Sequence, residues 1–217
     1  MVLRALGVPS AHCTLGKLRD LVPPQSTSIW TVDLAYVLHA FGVRFKYLTS
    51  TLGADPAYES EPFYKATIDA DTIRVNDLFA KADTHKVHIE RRSVADDELV
   101  DLMRPQDHVV VALVDRRVLD RAGPGTVSGL VETCFSYCFG GYVGHYILLL
   151  RHDGERGGFI VHDPARREPD GSFVTAADLH AARRSHGTDE DLLIIPYLQP
   201  SNLVLKPTAS EAASPAA

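Results

Sequence analysis

Tyr142-Val143-Gly144-His145-Tyr146-Ile147-Leu148-Leu149-Leu150 is followed, after a polar stretch, by Gly158-Phe159-Ile160-Val161-His162-Asp163-Pro164. Both runs are apolar and strand-like. The stretch between them, Arg151-His152-Asp153-Gly154-Glu155-Arg156-Gly157, contains Asp-Gly, and the whole predicts a hairpin. A hairpin brings Asp163 of the second strand beside His145 of the first. A carboxylate there fixes the tautomer and orientation of the ring and leaves the other ring nitrogen to take a proton from a nucleophile. His145 and Asp163 are therefore the candidate catalytic pair, two thirds of a Cys-His-Asp constellation. The plainer alternatives are a strand histidine with a satisfied hydrogen bond and an Asp-Pro that starts a turn. His162 should alternate to the opposite sheet face.

Working outward, Met1 to Leu6 resembles the end of a helix stopped by Gly7. Pro23 to Thr27 is a loop, and Ser26, Thr27 or Ser28 is placed to cap a helix over Ser28 to Phe41. Trp30, Leu34, Val37, Leu38 and Phe41 share one face of it, and Gly42 ends it. Trp30-Thr31-Val32-Asp33 reads as core plus a first-turn aspartate suited to the helix dipole. Val43 to Thr51 predicts a strand. Asp69 to Asp83 predicts a helix with Ile73, Leu78 and Phe79 as core residues. Val87 to Glu90 is a short strand, and Ser93 or Asp96 caps a helix reaching Met103. His108 to Val114 is a continuous apolar run, the pattern of a strand buried on both faces. Arg116 to Ser136 is partly loop, since it holds Gly123-Pro124-Gly125. Thr175 caps a helix to about Ser185, Gly187 closes it, and Leu192 to Leu198 is a last strand.

Helices come first and strands dominate later, which predicts an α+β fold. One domain over residues 1–200 is expected, with 201–217 as a disordered tail; its last residues, from Pro207, are small and polar. The chain has 217 residues, 45% hydrophobic and 23% charged, with a formal net charge of -6. That balance, with no basic stripe, argues against a nucleic-acid partner. No apolar run approaches the ~20 residues a membrane span needs, so no membrane role is expected. Three cysteines, an odd and small number, suit a reducing compartment, cytoplasmic or nuclear.

Those cysteines are the candidates for the missing nucleophile. Cys134 and Cys138, with His145, show only three zinc ligands and no C-x-x-C pair, and burial as small hydrophobes is the plainer reading. Cys13 follows His12 in a loop with no helix start to aim it at the hairpin, whereas a helix N-terminus favours thiolate. Gly187-Thr188-Asp189-Glu190-Asp191 offers Asp189 and Asp191 as ligands for a divalent cation; its plainer reading is a helix C-cap and a solvated turn. Phosphate-binding signatures of the G-x-x-x-x-G-K-[ST] and G-x-G-x-x-G kinds are absent.

Ser28-Ile29-Trp30-Thr31-Val32-Asp33-Leu34-Ala35-Tyr36, Phe63-Tyr64-Lys65, Arg74-Val75-Asn76-Asp77-Leu78-Phe79, Gly144-His145-Tyr146, Asp163-Pro164-Ala165 and Gly187-Thr188-Asp189-Glu190-Asp191-Leu192 resemble the guanylyl cyclase domain-containing protein 1 family, whose plant members are called soluble guanylyl cyclase 1. The resemblance runs from Met1 to about Tyr197. It implies conversion of GTP to cyclic GMP with a divalent metal, Mg2+ or Mn2+, for which Asp189 and Asp191 are the carboxylates. Arg151, Arg166 and Arg167 are the basic residues at hand for the triphosphate.

The same family is similar to papain-like peptidases of the bacteriocin-processing type. That likeness implies N-terminal helices packed on an antiparallel sheet carrying His then Asp, matched by His145 and Asp163. It places the family's cysteine in a Trp-Asp-Cys-Gly-Leu-like stretch upstream of Met1. The expectation is then a truncated N-terminal helix and a peptidase-like scaffold without its nucleophile, a pseudoenzyme or a binding protein with a small peptide-like substrate or a protein partner.

Overall fold

The computed structural model describes residues 2–22, 28–60, 68–121, 141–166 and 168–199. Pro23 to Thr27, Phe63-Tyr64-Lys65, Cys134, Cys138, Arg167 and the tail from 201 lie outside the described residues. The expected hairpin forms as β4 (Gly144–Asp153) and β5 (Gly158–His162). Arg151, His152 and Asp153 extend the first strand rather than the turn. A bulge between Leu149 and Arg151 shifts the register, and Gly157 closes the turn at φ 66°.

The other strands are β1 (Lys46–Thr49), β2 (Ile89–Arg91), β3 (His108–Asp115), β6 (Ser172–Thr175) and β7 (Leu192–Pro196). They form one seven-stranded sheet in the order β2-β1-β7-β3-β4-β5-β6. β3 lies between β7 and β4, which explains its unbroken apolar run. The sheet is mixed rather than antiparallel, because β1 and β2 pair in parallel. Between those two strands runs a helix, α4 (Ile68–Lys81), and such a crossover is what a parallel pair requires.

Helices cover both faces. On one face lie α1 (Val2–Ala5), α2 (Leu15–Arg19), α3 (Thr31–Ala40) and α4, around Leu3, Trp30, Val32, Phe41 and Val75. On the other, α5 (Asp96–Met103) and α7 (Ala176–Arg183) bury Leu99, Met103 and Leu179 against Ile147, Leu149 and Val161. Between β3 and β4 the described chain also forms α6 (Arg116–Arg121), at the start of the segment that reads as partly loop.

α3 begins at Thr31, and its N-cap is Trp30 rather than Ser28. The Trp30 N–H donates to Asp33 Oδ2 at 2.9 Å, while the Ser28 hydroxyl donates to Asp71. Asp33 and Asp71 both accept from Arg74, which ties α3 to α4 through buried charge. Leu78 and Phe79 pack against the core as expected, but Ile73 is 78% exposed, and Ile68, Asp71, Val75 and Ala82 are the buried positions.

Thr175 caps α7 as expected, its Oγ1 accepting from the Asp178 N–H at 3.1 Å. Thr175→Ala is expected to cost about 1 kcal/mol of stability, read as a lower urea midpoint at unchanged slope. An unmoved midpoint would show that the cap contributes nothing. Gly187 follows at φ 98°, with Tyr142 packed where a side chain would stand.

Candidate functional site

His145 is the second residue of β4 and pairs with Val114 of β3. Strand alternation gives it the face of Ile147 and Leu149, the side covered by α5 and α7. Asp163 follows the last residue of β5 and shares that face. The two side chains meet: His145 Nε2 and Asp163 Oδ1 are 2.6 Å apart, the ring 14% exposed and the carboxylate 5%. No hydrogen bond to Nδ1 forms among the described residues.

The Asp-Pro turn and the carboxylate that orients the ring are one structure. Asp163 Oδ1 also accepts from the Ala165 N–H at 2.8 Å, and its carbonyl accepts from the Arg166 N–H at 3.0 Å. Arg166 turns back to place Nε 3.4 Å from Asp163 Oδ2 and Nη2 3.1 Å from Asp120 of α6. Burial pushes the Asp163 carboxyl up, but the Ala165 N–H, the His145 ring and the Arg166 guanidinium outweigh it. The group is held below the ordinary carboxylate value. Asp120 had no signal in the sequence beyond being acidic, because no element was assigned to the partly loop segment that holds it.

His162 lies on the opposite face, with its neighbours Tyr146 and Leu148 at the wall of an apolar cavity of about 1250 Å³. Cys13 lines the same cavity, across the sheet from His145. A helix start does follow Cys13: Thr14 caps α2, its Oγ1 accepting from the Lys17 N–H. The thiol nevertheless donates to the Val8 and Pro9 carbonyls, at 3.4 and 3.2 Å. Cys13 is therefore not brought to the pair.

The acidic turn is not a solvated one. Asp189 Oδ1 accepts from the Tyr58 hydroxyl at 2.5 Å, and the Asp189 carbonyl accepts from the Ser50 N–H at 2.7 Å. Burial, opposed by Tyr58 and helped by Asp55, leaves the Asp189 carboxyl raised. Asp191 is 4% exposed. Burial, and then the charge of Asp189, push its carboxyl up to about 7 against the opposing pull of the Thr31, Thr49 and Tyr47 hydroxyls. Its Oδ1 makes no hydrogen bond.

Among the described residues no third His, Cys, Asp or Glu joins this pair. A cation entering here would have to displace the proton that Asp191 holds to about 7 and the Tyr58 hydroxyl that donates to Asp189 Oδ1. Among the described residues no helix is long and apolar enough to cross a membrane.

The fold and the site together define an α+β protein with a carboxylate-oriented histidine at one end of its central strands. The chain belongs to the guanylylate cyclase family, whose model matches residues 1–195. It is similar to Guanylyl cyclase 1 of Arabidopsis thaliana, at 41% identity over 197 residues that make up 90% of this chain and 68% of the relative. No solved structure matches it.

Proposed function

We propose that this chain converts GTP to cyclic GMP, with His145 as general base and Asp163 as its orienting partner. The observation that carries the reading is the 2.6 Å contact between His145 Nε2 and Asp163 Oδ1, with no hydrogen bond to Nδ1 among the described residues. The substrate comes from the family and from the name of the Arabidopsis relative. Cyclisation needs a base for the ribose 3′-hydroxyl. Nδ1 takes that proton, the 3′-oxygen bonds to the α-phosphorus, and the bond to the β-phosphate breaks to release pyrophosphate. Arg166, whose Nε is 3.4 Å from Asp163 Oδ2, stands to offset the charge that develops. No step is assigned to Asp189 or Asp191.

The test is direct. The purified chain, incubated with GTP in buffer containing Mg2+ or Mn2+, should yield cyclic GMP and pyrophosphate in equal amounts by mass spectrometry. No product above a protein-free blank with either ion would reject the reading.

A second reading is favoured by the same dyad together with the lack of a phosphate-cradling motif in the sequence. It takes the fold as papain-like and the dyad as the partner of a thiol acting on a small peptide-like substrate. Cys13 lies across the sheet from the dyad, and the resemblance implies that the thiol is the one in the family's Trp-Asp-Cys-Gly-Leu-like stretch. A chain extended by that stretch should then be labelled by a thiol-directed activity probe, and His145→Ala should abolish the labelling. An extended chain that stays unlabelled would dismiss this alternative.

A further inference from the structure

Ser93 is exposed in the loop between β2 and α5, directly after Arg91 and Arg92. Its hydroxyl donates to Glu190 Oε2 at 2.5 Å and accepts from Arg184 Nη2 at 3.2 Å. Glu190 Oε2 is also 3.5 Å from both Arg183 Nη1 and Arg184 Nε. Arg183 is buried to 1% exposure, and its Nε and Nη1 make no hydrogen bond. Two guanidiniums thus converge on one carboxylate oxygen with donors left over, and a serine hydroxyl stands against the same oxygen. Glu190 is moreover held at φ 52° beside Asp189 at φ 50°, a left-handed pair that residues with side chains rarely adopt. Its contacts with Ser93, Arg183 and Arg184 are what fasten its side chain there.

The geometry points to Ser93 as a phosphorylation site whose phosphate takes the place of Glu190 on Arg183 and Arg184 and loosens the Asp189–Glu190 turn. The Ser93 Oγ–H bond breaks and its proton passes to the base of a protein kinase. Oγ bonds to the γ-phosphorus of a nucleoside triphosphate, and the nucleoside diphosphate leaves. Arg91-Arg92 before the serine is the charge pattern that an arginine-selecting kinase reads. A phosphoserine dianion offers three acceptor oxygens to guanidiniums that now share Glu190, while Arg183 Nη2 stays on Asp96 Oδ1 at 2.6 Å and on the Val94 carbonyl at 2.7 Å. It also sets a like charge against Glu190, which must leave. The released turn runs directly into Asp191 and β7.

The experiment uses the full chain, ATP and a serine kinase that selects arginine before its target. Mass spectrometry should place the phosphate on Ser93, and Ser93→Ala should remove it. The phosphorus NMR titration of the product should have its midpoint near 5, about tenfold in proton affinity below the value of about 6 for a free phosphoserine. Arg184→Gln, at a partly exposed position, should return it toward 6. Amide exchange at Glu190 and Asp191, whose N–H groups now donate to Thr188, should speed up on phosphorylation. A folded chain that resists the kinase while a peptide of residues 89–98 is modified would overturn the proposal. So would a midpoint of about 6 that Arg184→Gln does not move.

Discussion

His145→Ala is expected to lower the rate of cyclic GMP formation by roughly 10²- to 10⁴-fold, the contribution of one positioned general base. The loss should fall on kcat more than on KM, because the ring acts on a proton that moves only in the transition state. Asp163→Asn should lose a similar factor, because Oδ1 serves both the Ala165 N–H and Nε2 and an amide cannot replace the carboxylate on both sides. With its oxygen at Oδ1 the amide carries no charge to stabilise the protonated ring and sets its NH2 against Arg166; flipped, it sets the NH2 against the Ala165 N–H and turns the ring to the wrong tautomer. The carboxylate is held below its ordinary range, so it stays ionised well into acid. Its stabilising effect is present above the unfolded carboxyl value and is lost only as pH falls through the lower folded one. Asp163→Asn should therefore flatten the acid end of the stability profile, a change His145→Ala does not make in the same form. Turnover by His145→Ala within threefold of the parent, with the fold intact by circular dichroism, would remove the dyad from the mechanism.

The hairpin, α3 and the central β3 were legible because each carries a strong period or a turn signal. The parallel pair escaped the sequence, although strand, helix and strand over 43–51, 69–83 and 87–90 form the crossover unit that such a pair requires. A helix between two strands does not by itself dictate parallel pairing, since β3 and β4 flank α6 and run antiparallel. Ile73 was misread because apolar character was taken as the only sign of burial. The inward face of α4 follows Ile68, Asp71, Val75 and Ala82, with an aspartate in the middle of it. That aspartate is matched by Arg74, one turn on along α4, and by Ser28 of a different segment, and no local pattern announces the second partner. β6 and α2 were missed for being four and five residues long, too short for a period to show. His145 and Asp163 stood out because the hairpin makes them near in sequence. Asp120 and the hydroxyls around Asp191 come from other elements, and only the folded chain brings them together.

Asp191→Asn should change how stability depends on pH more than any other single substitution in the described chain. Asp191 directly precedes β7, with Thr31 of α3 and Tyr47 and Thr49 of β1 around its carboxyl. Burial first, and the neighbouring charge of Asp189 second, raise it to about 7, against about 3.9 in an unfolded chain. Between those values the native state holds a proton that the unfolded state has released. Stability therefore falls as pH rises through that window, and the full cost is present above 7. Three pH units correspond to about 4 kcal/mol by linkage. An asparagine is neutral throughout and nearly the same shape. Relative to the parent, the variant should gain about 4 kcal/mol in urea unfolding free energy between pH 4 and pH 8, with most of the change between 5 and 7. At pH 4 the variant should be no more stable than the parent, since both side chains are then uncharged. Parallel profiles for the two chains would mean that Asp191 is ionised in the native state at low pH. The buried site would then have to supply a positive charge that no described neighbour provides. The direction also bears on the site: Thr31 Oγ1 is 3.1 Å from the Tyr146 hydroxyl, and Tyr146 is the residue after His145. If ionisation of Asp191 draws Thr31 toward it, cyclic GMP formation by the parent should change between pH 6 and 8 in a way that Asp191→Asn suppresses.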